Sequence, residues 1–364
     1  MPSNQIRRLS CEEEGPMKIL VVGDGHSAIH EVAVMAAFKK LGHQIESFYW
    51  HEYFKSRNPI GRLIRRAQNK FLVGEMIYKL NHDLIRMAIL FEPKLIFIYR
   101  GTHILPKTLL ALKKELPDCK IFGYNNDDPF AVGHHFWLWR HFLKGVPIYD
   151  LIFAYRKHNL IEYYDSGAKK VELLMPWFLP ENDKPQTAGE NIHKKFDVVF
   201  VGHYENDQRI EYLKNVAESQ YISGLFGPDW DLAPEYSWLK KYIPVVPVRG
   251  ELYRETLISA KIALCFLSSL NRDTYTRRCF EIPAMGVFML CQYSDDLVNL
   301  FEDGVDAVFF HSPSDMMEKL AHYTLHDDLR EKIAANGRAR VVRDEHDIVS
   351  RMQYVMSFLA KEES

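Results

Sequence analysis

The chain has 364 residues, with 46 lysines and arginines against 48 aspartates and glutamates, for a net charge of −2. Near-neutral charge excludes a nucleic-acid binder driven by phosphate attraction, and no apolar run approaches the ~20 residues that cross a bilayer as a helix. With 47% hydrophobic and 26% charged residues it has the composition of a globular chain, long enough for about two domains.

Residues 1–16, MPSNQIRRLSCEEEGP, read as loose and lack the apolar stretch of a signal peptide. KILVVGDG then opens an alternation of apolar strands and helices. Strands are expected at Ile19–Val22, Ile45–Trp50, Leu95–Tyr99, Lys120–Tyr124 and Leu151–Tyr155. Helices are expected at Ala28–Leu41 with Gly42 at its C-cap, from about Ile60 to Phe91, near Leu105–Leu116, and up to Ser166. Strands apolar on nearly every residue indicate a parallel sheet covered on both faces. Pro180–Lys195 is polar and reads as a linker. The alternation restarts with strands at Asp197–Gly202, Ile222–Gly227, Val245–Val248, Ile262–Phe266, Val287–Cys291 and Ala307–Phe310. Two α/β domains follow, 17–180 and 196–345, with a last helix in 346–364 that returns towards the first. Their cleft faces the carboxyl ends of both sheets, where open α/β sheets bind ligands.

Cys11, Cys119, Cys265, Cys279 and Cys291 form no CxxC pair, and three sit in apolar runs as small core residues. That usage suits a reducing compartment, placing the protein in the cytoplasm. Gly23-Asp24-Gly25-His26-Ser27-Ala28 follows a strand and opens a helix, a GxGxxA pattern whose backbone N–H groups can approach a pyrophosphate. A dinucleotide site also needs an acid at the tip of the second strand. Glu46 falls too early and Glu52 beyond a Trp-His pair, so a tight turn lining the cleft is the first reading. Tyr124-Asn125-Asn126-Asp127-Asp128-Pro129 places two carboxylates after a strand, candidates for a base or for sugar hydroxyls, with no local oxygen set for a metal. His134, His135 and His141 lie among aromatics without metal-ligand spacing and read as packed rings.

Residues 55–70 hold six basic side chains and no acid, with Ile60, Leu63, Ile64, Ala67 and Phe71 at helical spacing. This is a solvated helix face, one lying on anionic lipid, or a surface that receives an anionic acceptor. The densest motif is Arg277-Arg278-Cys279-Phe280-Glu281-Ile282-Pro283-Ala284-Met285-Gly286. Arginine suits phosphate oxygens, and a glutamate at a helix start can accept from paired ribose hydroxyls. Asp273, eight residues earlier, is a second acid facing the same cleft.

TRRCFEIPAMGVFML and the stretch from DLVNLFEDGVDAVFF onward resemble the C-terminal part of the CgeB-type (spore maturation protein) glycosyltransferases, group 1 enzymes of GT-B fold. GYNNDDP, DLIFAY, GAKKVELLMPWFLP, DVVFVGHYENDQR, LFGPDW and SAKIALCF occur in that family's order and spacing. The resemblance is good over about 130–364 and general before that. It implies two doubly wound Rossmann-like domains facing each other across a cleft, a nucleotide-sugar on the second, and a glycan or lipid-linked acceptor on the first. Glu281 matches the ribose glutamate and Arg278 the family's R-x-F-E arginine. Asp273 takes the earlier acidic position of E-x7-E, as Asp. Gly202 and Arg209 match the diphosphate loop, and Gly227 a glycine near the base. The usual later lysine is absent, so Arg209 and Arg278 share its charge.

The resemblance also implies a metal-independent, retaining transfer with no cofactor beyond the nucleotide-sugar. If the enzyme inverts, His26, Asp127 or Asp128 is the candidate base. Gly23, Gly25 and Arg100 complete the acceptor-side loops. Peripheral contact with the inner face of a membrane is expected through residues 55–71, and no contact with nucleic acid. The alternatives are an NAD-type oxidoreductase using Gly23–Ala28 and a non-catalytic glycan- or coat-binding protein of the same fold.

Overall fold

The computed structural model describes residues 15–187, 189, 190, 192–241 and 245–360; Cys11 and most of the expected loose start lie outside them. The first half comprises β1 (Lys18–Gly23), α1 (Glu31–Lys40), β2 (Gln44–Tyr49), α2 (Pro59–Phe71), α3 (Glu75–Phe91), β3 (Leu95–Tyr99), α4 (Pro106–Glu115), β4 (Lys120–Asn125), α5 (Phe136–Gly145), β5 (Leu151–Ala154), α6 (Lys157–Asp165) and β6 (Val171–Leu173). The second half comprises β7 (Phe196–Val201), α7 (Arg209–Ala217), β8 (Ser223–Phe226), α8 (Tyr236–Leu239), β9 (Val245–Val246), α9 (Glu251–Ile258), β10 (Ala260–Cys265), α10 (Arg278–Ala284), β11 (Phe288–Gln292), α11 (Asp295–Leu300), β12 (Val308–Phe310), α12 (Pro313–Leu325), α13 (Asp327–Arg343) and α14 (Ile348–Ala360).

Each half builds one six-stranded sheet, in the orders β2-β1-β3-β4-β5-β6 and β12-β11-β10-β7-β8-β9. The strand pairings are parallel, with Ile19 of β1 opposite both Ile45 of β2 and Leu95 of β3. Such sheets need helices on both faces, which is why β3 and β5 are buried at every position. Removing each large apolar side chain there from water contributes roughly 1.5–3 kcal/mol. Strand order reverses between β1 and β3 in one sheet and between β7 and β10 in the other. A crevice opens beyond the strand ends at such switch points.

The expected fold is present, with three local differences. The single helix expected to about Phe91 is two, because Leu72 at φ 52° and Gly74 at φ 101° turn the chain between α2 and α3. Strand β6, three residues long, is a strand not expected from the sequence. The polar linker is pinned by Arg254, which donates to the carbonyls of Lys184 and Pro185 at 2.9 Å each.

The chain passes between the domains twice, side by side. Phe178 N donates to the His346 carbonyl at 3.0 Å, and Ile348 N to the Phe178 carbonyl at 3.1 Å. Helix α14 then lies on the first domain, where Phe358 meets Phe153 edge-on at 5.6 Å. One hydrophobic core therefore runs from Ile19 and Phe97 through Trp177 and Phe178 to Phe280 and Met352.

Candidate active site

On the first domain, β1 ends in Gly23 and the Asp24–Ser27 turn. Gly25 has φ +84°, and a side chain there would stand 2.4 Å from the Tyr49 ring, so this turn requires glycine. The carboxylate of Glu31, buried in the first turn of α1, accepts from Gly25 N. The loop thus closes on the chain's own carboxylate, where a pyrophosphate would need that N–H. This weighs against the dinucleotide reading. His26, at the rim, pairs with Asp24.

Next along the chain, His30 stacks on Tyr99 at 5.3 Å. Burial first, then the charges of Arg277 and Arg100, push its pKa down to about 3, so the imidazole is neutral at pH 7. Arg100, at φ 65°, follows β3 and reaches Asp127 at 2.6 Å. Sequence reasoning missed His30, whose only signal is its place at the mouth of α1.

Asp127 and Asp128, adjacent in sequence, are in different situations. Asp128 is fully buried and accepts from Arg272 Nε at 2.6 Å, Phe130 N at 3.0 Å and Asn159 Nδ2 at 3.0 Å. Burial works to raise its carboxyl, but hydrogen bonds from His158 and Arg272 outweigh that and hold it well below the carboxylate range. Arg272 also grips Glu162 with both terminal nitrogens, at 2.9 and 2.8 Å. Asp128, His158 and Glu162 converge closely enough to suggest a cation site, but the guanidinium already bonds both carboxylates. Arg272 belongs to the second domain, so Asp128 joins the domains and is not positioned as a free base.

Asp273 makes a parallel junction. It accepts from Arg156 Nε at 2.8 Å, across the cleft, and both side chains are nearly inaccessible. Burial raises the Asp273 carboxyl, with Arg156 opposing. Lys157 to Asp296 at 2.6 Å and Tyr275 Oη to the Tyr155 carbonyl at 2.6 Å complete this seam.

On the second domain, Gly227 has φ +135°, and a Cβ there would fall 2.1 Å from the Gly202 carbonyl oxygen. The loops after β7 and β8 therefore touch backbone to backbone, and Trp230 Nε1 donates to the same carbonyl at 2.8 Å. Arg209, expected at a diphosphate, is buried with its donors on its own loop. It holds Asp207 at 2.7 Å through Nε and Nη2, the His203 carbonyl at 3.0 Å, and Glu205 at 3.1 Å. It shapes this loop and offers no free cation.

Glu281, in the first turn of α10, is 6% exposed. One carboxylate oxygen meets Arg277 at 2.8 Å, four residues earlier and one turn back, and the other accepts from Tyr253 Oη at 3.0 Å. Arg277 also reaches Asp183 of the linker at 3.3 Å. Burial, then the charge of Glu281, raises Asp183 to about 7. Arg278 instead turns inward, 5.7 Å over the Phe200 ring. Arg277 Nη1, Arg278 Nε and Arg100 Nε are buried without hydrogen-bond partners among the described residues. Arg277 was legible from its i, i+4 spacing to Glu281; Tyr253 and Asp183 are too distant in sequence to find.

A hollow of about 430 Å³ opens beyond β7, β10 and β11, walled by Arg209, Tyr212, Phe266, Ser268, Asp273 and Gln292. Of the expected packed histidines, His135 stacks on Trp137 at 4.3 Å but is exposed, while His141 is half-buried with its Nε2 2.9 Å from the Leu72 carbonyl.

Residues 194–357 match the family described as "Glycosyl transferase-like". No curated protein matches. Among solved structures, sucrose-phosphate synthase from Thermosynechococcus elongatus superposes with a TM-score of 0.69 at 12% identity, over 95% of this chain and 98% of that one. HepE from Anabaena, in complex with UDP and glucose, gives a TM-score of 0.66 at 14% identity, over 95% and 100%. A trehalose-6-phosphate synthase studied for glycosyl transfer with retention gives 0.62 at 13%, over 94% and 99%. Residues 194–357 thus match a glycosyl transferase-like family, and the whole chain has the two-domain fold of these glycosyltransferase structures.

Proposed function

We propose that the chain moves a sugar from a uridine-diphosphate donor, held at α10, to an acceptor received by the loops of the first domain. The carrying observation is Glu281, buried and oriented by Arg277 and Tyr253 beside two unpartnered guanidinium N–H groups. A carboxylate so fixed can accept from ribose hydroxyls. Arg277, whose Nη1 is buried without a hydrogen-bond partner among the described residues, would stabilise the charge that develops on the departing diphosphate. Among the similar structures, HepE was solved with UDP-glucose, which supports the choice of nucleotide. Within glycosyltransferases, the quoted C-terminal motifs favour the CgeB-type group.

Retention without a metal is the proposed course. Asp127 is paired with Arg100 and Asp128 with Arg272, so neither is a free carboxylate base, and His26, paired with Asp24, is the base left if the transfer inverts. A retaining transfer needs none of them as a free base. The test is a thermal-shift panel of nucleoside diphosphates, nucleotide sugars and NAD, in which a ligand at 100 times its Kd adds about 2.7 kcal/mol. UDP and UDP-sugars should stabilise the chain; stabilisation by NAD alone would favour the oxidoreductase alternative.

A lipid-linked acceptor at an anionic bilayer is the second part of the proposal. No residue of α2 is buried, and Ile60 and Leu63 are each 71% exposed. Phe71 continues the apolar strip to Trp137 at 5.4 Å and on to exposed Phe136. Among the described residues no helix is long and apolar enough to cross a membrane, so contact here is peripheral. Each basic side chain near the surface adds roughly 1 kcal/mol of attraction to anionic lipid. Flotation with anionic but not neutral vesicles, lost in Leu63→Glu, is expected; equal recovery with both, or none with either, rules it out. Four described cysteines are free thiols, which supports a reducing compartment.

A further inference from the structure

Three of the buried cysteines converge on one point. Cys265 ends β10, Cys291 is its register partner on β11, and Cys279 comes down from α10 above them. All three are 0% exposed. The Cys279 Sγ lies 3.7 Å from that of Cys265 and 3.9 Å from that of Cys291, and the three sulfurs all fall within 4.8 Å of one another.

From these positions we propose that Cys265, Cys279 and Cys291 form a three-thiolate site for a single soft d10 cation, structural in role and separate from sugar transfer.

The spacing carries the argument. A metal–sulfur bond of about 2.3 Å puts sulfurs about 3.8 Å apart on the face of a tetrahedron and about 4.0 Å apart in a trigonal plane. Two of the three separations already have these values without any rotamer change. All-sulfur coordination selects thiophilic ions over magnesium or calcium.

Charge closes as well. Three thiolates bring −3, a divalent ion +2 and the neighbouring Arg278 +1, leaving no net charge in the core. Arg278 Nε is buried without a hydrogen-bond partner among the described residues, and the Arg278 charge acts on Cys265. On binding, the ion displaces the thiol protons to solvent.

This inference does not rest on the transferase reading, and its test needs no substrate. The full chain, reduced and anaerobic, is equilibrated with Cd2+ and followed by its sulfur-to-metal charge-transfer absorption in the ultraviolet. One equivalent should develop the band, with a parallel rise in thermal midpoint. Cys279→Ser should lose both, while Cys119→Ser, whose thiol lies in the first domain, keeps them. Circular dichroism confirms that each variant is folded, and Cys291→Ser gives an independent second test should Cys279→Ser fail to fold. No band in the folded wild-type chain would show ordinary sulfur packing and overturn the proposal. An undiminished band in folded Cys279→Ser or Cys291→Ser would overturn it equally.

Discussion

Asp128→Asn separates a domain strut from a catalytic base. The carboxylate has a charge-assisted bond to Arg272 Nε at 2.6 Å and bonds from Phe130 N and Asn159 Nδ2 at 3.0 Å each. Asparagine retains one acceptor oxygen for the backbone and Asn159, but presents either a weaker oxygen or an NH2 donor to the guanidinium. Losing a hydrogen bond between charged groups is worth about 1.5–3 kcal/mol. Arg272 is 41% exposed at its side chain, so solvent screening takes the lower part of that range. The expected loss is thus about 2 kcal/mol, read as a lower urea midpoint for the transition that involves the domain seam. Arg272→Ala should lose more, because it also releases Glu162, and the double variant should fall short of the sum because the two side chains share one interaction. Turnover, measured as UDP release well below the transition, should stay within a few-fold of wild type. A general base contributes typically 10²–10⁴-fold. A hundredfold fall in turnover with an unchanged urea midpoint would refute the strut assignment.

Gly227→Ala should cost at least ~2 kcal/mol, because the strained φ of +135° and the Gly202 carbonyl at 2.1 Å leave no backbone freedom to relieve it; wild-type stability would refute the close approach of the two loops. Asp183, raised to about 7 by burial and by Glu281, contributes its stability fully below pH ~4 and loses it as pH climbs to about 7. The wild type should therefore lose ground to Asp183→Asn across that interval in paired pH–stability curves, and parallel curves would contradict the raised value. Transfer from UDP-glucose should survive a chelator; activity abolished by the chelator and restored by Mn2+ would assign a metal role to an acid such as Asp127.

Most of the fold was legible because both sheets are buried on two faces and signal themselves as uninterrupted apolar runs. Leu95–Tyr99 and Ile262–Phe266 are of this kind. The break at Leu72 was hidden because a left-handed leucine leaves no residue-type signature, and β6 because three residues are too short to show a period. Of the candidate site, placement along the chain was legible: Gly23 ends β1, and Arg100, Gly202, Arg209 and Asp273 lie in the sequence that follows a strand. Roles were less legible, since sequence gives no pairing. Arg209 lies near Glu281 in neither sequence nor bonding, and its guanidinium faces two acids of its own loop. Arg277 and Arg278 are neighbours, yet α10 turns one towards Glu281 and the other towards Phe200. That division depends on helix rotation, which the doublet alone does not specify.

The most direct measurement is a calorimetric titration of UDP, with NAD+ as control, into the wild type and folded Glu281→Ala. The account predicts saturable one-to-one binding of UDP by the wild type, weakened roughly tenfold to a hundredfold in the variant by loss of charge-assisted ribose bonds, and no response to NAD+. Equal UDP affinity in both proteins, or binding of NAD+ in place of UDP, would contradict it.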